Sequence, residues 1–349
     1  MRRLLVVLAS TLLLAACATV VTPTRAEPSA VPSAIPTPSA PAFLTGLTVP
    51  WAVGGERIRA DGTRGVDPGQ WPPFPVPAVR LWDTRTAWLH LQPAPGRWHW
   101  ATLDALLAKA QHEGTRDVML VLAGTPKWAA VRTLRSDAPW LGRGSASPPS
   151  SLSDWTDFVH TVATRYRERI TAYEIGNEPN LLTFWNGTPT QYGEFVAAAA
   201  SAIRDADPSA TIVANVGLVR RDADLDDIAT WLAPVTASAD VDAVSLHAYP
   251  KAGRLDEVVN LLRAARGRLA VLTDLPAWMT EVNVADGARL PHARQAGAVT
   301  DLTQDVYASG FERAYWYAWN DLAMDTLIPL YDGTPGGEAL AQAVTSPVP

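Results

Sequence analysis

Among its 349 residues the sequence has one cysteine, Cys17, so the chain can form no internal disulfide. Several enzyme signatures are missing as well. There is no His-Glu-x-x-His, no phosphate-cradling Gly-x-x-x-x-Gly-Lys loop and no Gly-x-Ser-x-Gly elbow, and the six histidines are scattered. No metal or nucleotide cofactor is implied. Positive charge is in deficit, with 29 Lys and Arg against 35 Asp and Glu; a net charge of −6 gives no electrostatic footprint for nucleic acid and suits a neutral or cationic partner. Phenylalanine is scarce, at six, beside 14 tryptophans. An indole face can stack on the C–H face of a pyranose or fill a core, and composition leaves both uses open.

What is present begins with a targeting device. Arg2 and Arg3 precede an apolar run from Leu4 to Leu14 that is too short to cross a bilayer as a permanent helix. Residues 1–16 are expected to be a signal peptide. Leu14-Ala15-Ala16-Cys17 resembles the bacterial lipobox, so Cys17 is the expected lipidation site; ordinary cleavage beside an incidental cysteine would give a secreted protein instead. Residues 17–42 then carry Pro23, Pro28, Pro32, Pro36, Pro38 and Pro41 among Ser, Thr and Ala, the composition of a semi-extended tether. The mature chain, two arginines poorer, is expected outside the cytoplasm, held to a membrane by lipid alone.

From residue 43 to residue 349 the sequence reads as one folded domain. Short β-rich runs alternate with helical periods, which argues for a parallel sheet with crossover helices. Strands are expected at 43–49, 78–83, 117–124, 171–177, 211–217, 241–247, 277–283 and 312–319. Helices are expected at 102–113, 155–169, 188–206, 224–234, 255–266, 290–309 and 336–344. Eight strands fit a closed (β/α)8 TIM barrel better than an open sheet. Residues 50–77 are rich in Gly and Pro with no helical period, so the first helix is expected to be reduced or missing. The stretch 129–151, with Arg132, Arg135 and Trp140, is either a substrate-shaping loop or a surface insertion.

Two segments carry chemistry. Tyr173-Glu174-Ile175-Gly176-Asn177-Glu178-Pro179 puts Glu178 at the C-terminal end of the fourth strand, where barrels place catalytic groups. Trp278-Met279-Thr280-Glu281-Val282-Asn283 ends the seventh strand with a second Glu in an apolar run, where an unpartnered carboxylate would be costly. Strands four and seven lie on different sides of an eight-stranded barrel, so the two carboxylates would face each other across the bowl. Glycoside hydrolysis needs such a pair, one acid to protonate the leaving oxygen and one carboxylate to attack the anomeric carbon; about 5–5.5 Å between them means retention, about 6.5–9.5 Å inversion.

With these residues the chain resembles the retaining barrel hydrolases of glycoside hydrolase clan A. Val79-Arg80-Leu81-Trp82, Trp88, Pro93, Gly96, Trp98-His99-Trp100, Leu103-Asp104 and Thr125-Pro126-Lys127-Trp128-Ala129 look most like family 39, the xylosidase-like enzymes. The resemblance implies Glu178 as general acid/base and Glu281 as nucleophile. It further implies that Arg80 bonds the nucleophile, that Asn177 bonds the sugar hydroxyl next to the reacting carbon, and that His247 and Tyr249 steady the acid/base and the nucleophile respectively. Trp82, Trp128 and Trp319 become substrate-facing candidates. Trp319 is preferred to Trp316 as the floor of the reacting subsite, although strand register leaves that choice open. The implied partner is an oligo- or polysaccharide and the implied state a monomer. A catalytically silent sugar-binding barrel, a transglycosylase using the same two Glu, and an envelope scaffold remain as alternatives.

Overall fold

A computed structural model describes residues 43–346, apart from 51, 53–54, 59–63, 68, 135–136 and 321–325. The expected signal peptide, Cys17 and the tether lie outside the described residues.

Eight parallel strands close into a barrel: β1 (Leu44–Thr48), β2 (Ala78–Leu81), β3 (Asp117–Leu122), β4 (Ala172–Ile175), β5 (Thr211–Val219), β6 (Ala243–Ala248), β7 (Ala277–Val282) and β8 (Arg313–Trp316). Each strand pairs with its neighbours in sequence, and β1 closes the ring by pairing with both β2 and β8. Among the described residues seven helices of eleven residues or more surround it, beside a single turn at Trp88–Leu91: α1 (Ala101–His112), α2 (Leu152–Arg165), α3 (Pro189–Ala206), α4 (Leu225–Ser238), α5 (Val258–Leu272), α6 (His292–Ala308) and α7 (Pro335–Thr345). Every expected strand and helix is present. Between β1 and β2 the described residues form a two-stranded antiparallel hairpin, Gly55–Ile58 with Arg64–Asp67, in place of a helix.

The helix ends moved for local reasons. α2 ends at Arg165 rather than 169, because the chain then turns through Glu168, whose φ of 62° lies in the left-handed region. α3 starts as expected, with Thr188 and Gln191 in a reciprocal capping box and Pro189 in the first turn, where its missing N–H costs nothing. α4 runs on through Pro234, its expected end, to Ser238.

The strands are buried on both faces, so what positions the site is the layering inside the barrel. Toward the N-terminal end, Ala78, Met119, Ala172, Val213, Ala243, Trp278 and Tyr315 form an apolar layer. Two residues further along five of those strands, on the same face by the two-residue repeat, come Arg80, Glu174, Asn215, Ser245 and Thr280, all fully buried. Outside the barrel, Trp88, Trp98, Trp100, Trp128 and Trp155 join Phe158 in a column of ring contacts. Much of the tryptophan surplus therefore packs the helix layer rather than the bowl.

Candidate active site

Arg80 on β2 is the centre of the site. Its side chain is wholly shielded from solvent and its guanidinium cannot lose its charge, so it must be met by anions and acceptors. Nε donates to Glu174 Oε2 at 2.6 Å and Nη1 to Glu281 Oε1 at 2.5 Å. Nη2 donates to Asn177 Oδ1 at 3.0 Å and faces His247 Nε2 at 3.4 Å. Burial works against the arginine charge, but Glu174 and Glu281 outweigh it and hold the guanidinium above its ordinary pKa.

Glu174 has no route to solvent, and every part of its carboxylate is occupied. Besides Arg80, it accepts from Thr280 Oγ1 at 2.5 Å and Ser245 Oγ at 2.6 Å, with Asn215 Nδ2 at 3.4 Å. Burial would raise its pKa, yet Arg80, His247 and the two hydroxyls pull it below the usual carboxylate value. Glu174 is thus a fixed anion that orients Arg80. Glu174 and Thr280 stand inside the two motifs that carry chemistry but have no expected role there, and neither Ser245 nor Asn215 is among the expected site residues.

Asn215 fixes the orientation of His247. Its Oδ1 accepts from the backbone N–H of Glu178 at 2.9 Å and of Gly217 at 3.2 Å, so the amide can point only one way. Its Nδ2 therefore donates to His247 Nε2 at 3.0 Å. Arg80 Nη2 is also a donor aimed at Nε2, so that nitrogen holds the lone pair and the proton sits on Nδ1. Nδ1–H donates to Glu178 Oε1 at 2.8 Å, with Glu281 Oε2 at 3.5 Å. Burial lowers the His247 pKa to about 4, so the ring is neutral near pH 7.

The backbone at Glu178 is unusual. Its φ of 43° lies in the left-handed region, and Pro179 further restricts it; the hydrogen bond from its N–H to Asn215 holds it there. Its carboxyl is aimed into the bowl without an arginine in direct contact. Burial raises its pKa to about 7, against partial opposition from Arg80 and Arg220. Burial also raises Glu281, but His247, Arg80 and the Tyr249 hydroxyl pull it back, the hydroxyl donating to Oε2 at 2.5 Å. Of the two carboxyls, Glu281 is the one with an arginine and a phenol bonded to it.

One carboxylate oxygen of Glu178, one of Glu281 and a ring nitrogen of His247 all lie within 4.8 Å of one another. That spacing alone would admit a metal ion. The donor chemistry does not fit one, because His247 turns a protonated nitrogen toward both carboxylates and Arg80 already supplies the cation.

The structure therefore brings Arg80, Asn177, Glu178, His247, Tyr249 and Glu281 together. Irregular register puts them there: the pairing of β6 with β7 shifts between Leu246 and His247, so His247 lies opposite Glu281, and both Thr280 and Glu281 serve the interior. The three tryptophans divide differently. Trp82 packs in a cluster with Tyr249, Tyr317 and Phe184, its ring edge-on to Phe184. Trp128 donates to the Gln92 carbonyl at 3.0 Å and packs on Trp88 in the helix layer. Trp319 sits edge-on to Phe74 within the main core, while the ring beside Tyr249, 6.4 Å away, is Tyr317. Tyr317 was not among the expected site residues; its hydroxyl donates to Asp83 Oδ2 at 2.7 Å. Asp83 also accepts from the indole of Trp140, which is 60% exposed. The 129–151 loop is tied down on the other side by Arg132 and Asp137, both bonded to Asn186.

A closed eight-stranded parallel barrel with two facing carboxyls at the C-terminal ends of β4 and β7 is the architecture of clan A glycoside hydrolases. The model for "Glycosyl hydrolases family 39" matches residues 126–287, a span that holds Asn177, Glu178, His247, Tyr249 and Glu281. A beta-xylosidase of Geobacillus stearothermophilus is 28% identical over 115 residues, 31% of this chain and 22% of that enzyme. A GH39 beta-xylosidase from Caulobacter crescentus superposes with a TM-score of 0.61 at 21% identity, covering 78% of this chain and 65% of that one. Xylanase 10B from Thermotoga maritima gives 0.57 at 13% identity, over 87% and 95%. The likeness to family 39 read from the sequence is thus met by the family model over residues 126–287, and the solved structures share the barrel fold. The chain spans less than two thirds of the two beta-xylosidases.

Proposed function

We propose that this protein is a retaining glycoside hydrolase that works by double displacement. The observation that carries the reading is the approach of one oxygen of Glu178 and one of Glu281 to within 4.8 Å, which favours the close carboxyl pair of a retaining mechanism over the wider pair of an inverting one. Because Nδ1–H of His247 occupies Oε1 of Glu178, the acid proton belongs on Oε2, the oxygen left to meet the glycosidic bond. Glu281, held by Arg80 and Tyr249, attacks the anomeric carbon as Glu178 Oε2 hands its proton to the leaving oxygen. The glycosyl–Glu281 ester forms and the glycosidic C–O bond breaks. Glu178, now ionised, takes a proton from water, which attacks the same carbon and releases Glu281. The neutral His247 supports Glu178 in both states by donating to it. Asn177, its oxygen bonded to Arg80, would offer its amide N–H2 to the neighbouring sugar hydroxyl.

The relatives' names make β-xylosides the first substrates to try, with other plant-wall and envelope glycans after them. We also place the enzyme outside the cytoplasm, anchored through Cys17; a Cys17→Ala protein should then leave the membrane fraction, and continued retention would count against the anchor. For the chemistry, a panel of aryl glycosides followed by a 2-deoxy-2-fluoro analogue of the one cleaved should leave a mass label on the peptide carrying Glu281. A label on another residue, or no turnover of any glycoside or polysaccharide, would sink the reading.

A further inference from the structure

A cavity of about 740 Å³ opens beside the site and shares Tyr249 with it. Its walls come from the segments after β5 and β6. In a chain whose net charge is −6, they carry four cations, Arg220, Arg221, Lys251 and Arg254, against Asp222 and Glu257. Arg221 is bound to Asp224 at 3.2 Å and Arg254 to Glu257. Arg220 reaches Asp224 only at 4.0 Å, and Lys251 has no ion-pair partner among the described residues. Pro250, Val258, Leu261 and Ala285 supply an apolar floor between the charges. The overall acidity of the chain argued for a neutral or cationic partner; this cavity reverses the sign locally.

We infer that this cavity is a subsite for an acidic sugar, a pyranose bearing a carboxylate, with Arg220 and Lys251 as the groups that hold its charge. An apolar floor fits the C–H face of a pyranose, and two under-compensated cations at its edge fit one carboxylate, a combination that neither a neutral sugar nor an inorganic anion would use in full. The cavity meets the site at Tyr249, whose hydroxyl donates to Glu281 Oε2 at 2.5 Å, so the acidic sugar would lie next to the sugar held at the reacting centre. This inference rests on the glycosidase reading for its place in catalysis, but not for its binding chemistry.

Equilibrium binding separates the two. Glucuronate and glucose titrated into the full protein should differ in Kd by about three- to tenfold in favour of glucuronate, the scale of two exposed ion contacts, and the gap should shrink as salt rises to about 0.5 M. In Arg220→Gln/Lys251→Gln the ratio should fall to near one, and in Lys251→Glu it should invert. Equal affinities in the wild type, or a preference that survives both variants, would overturn the subsite even if aryl glycosides are hydrolysed. Selective, variant-sensitive binding without turnover of any glycoside would keep the subsite and remove the hydrolase.

Discussion

Two layers inside the same barrel, built by the same strands two residues apart, have opposite chemistry. Ala78, Ala172, Val213, Ala243 and Trp278 line the lower one; Arg80, Glu174, Asn215, Ser245 and Thr280 replace them in the upper. The lower layer touches nothing that reacts and needs only volume. The upper one holds a buried cation and a buried anion, which no water can compensate, so each polar atom must meet another. The comparison teaches that catalytic precision here is a property of a scaffold layer: Glu281 and His247 are aimed by Arg80 and Asn215, which are in turn aimed by Glu174 and the backbone at Glu178.

Substitutions at different heights should separate the layers. The largest effect belongs at the top. Glu281→Ala should lower kcat/KM by at least about 10⁴-fold, as loss of a nucleophile does. Azide should then substitute for the missing carboxylate and yield a glycosyl azide of inverted configuration; activity within tenfold of wild type would remove Glu281 from the mechanism. One layer down, Glu174→Gln leaves Arg80 short of an anion in a fully buried setting. Breaking such a pair costs about 3–5 kcal/mol of stability, readable in denaturant unfolding, and kcat should fall as well because Glu281 loses its aligned partner. A stable variant with normal kcat would show that the upper layer is packing only. At the bottom, Met119→Ala should cost about 2–5 kcal/mol of stability through the cavity it leaves, with the pH profile of the surviving activity unmoved.

Much of this layering was legible in the sequence, and what was missed has a physical reason. Eight apolar runs and their crossovers are long-range repeats that survive small boundary errors, so the barrel could be read. Glu281 stood out because an ionisable group in an apolar strand needs a reason, and Glu178 because it ends the fourth strand, whereas Arg80, His247 and Tyr249 entered only through the resemblance to family 39. Glu174 met the same criterion and was overshadowed by Glu178, four residues on; the missed clue was its place inside the strand, where a charge must pair across the barrel. Asn215 and Thr280 carry no charge, and only the shared apolar-to-polar step two residues along five strands would have exposed them. Tyr317 was missed for another cause. β8 ends at Trp316, so strand alternation no longer governs residue 319, and the ring that reaches Tyr249 is Tyr317.

The smallest expected effect tests whether the upper layer ends at the barrel or extends into the loops. Burial sets the Glu178 pKa near 7, so the alkaline limb of kcat/KM, where the acid loses its proton, should fall near that pH. Arg220, on the loop after β5, favours the ionised carboxylate and so holds this pKa down. Arg220→Gln should therefore move the alkaline limb to higher pH. The side chain is 52% exposed, and solvent screens its charge, so the expected movement is only a few tenths of a pH unit at low salt. Raising salt to about 1 M should move the wild-type limb in the same direction and erase the difference between the two proteins. A limb that moves to lower pH, or that ignores both charge and salt, would confine control of Glu178 to its contacts within the barrel.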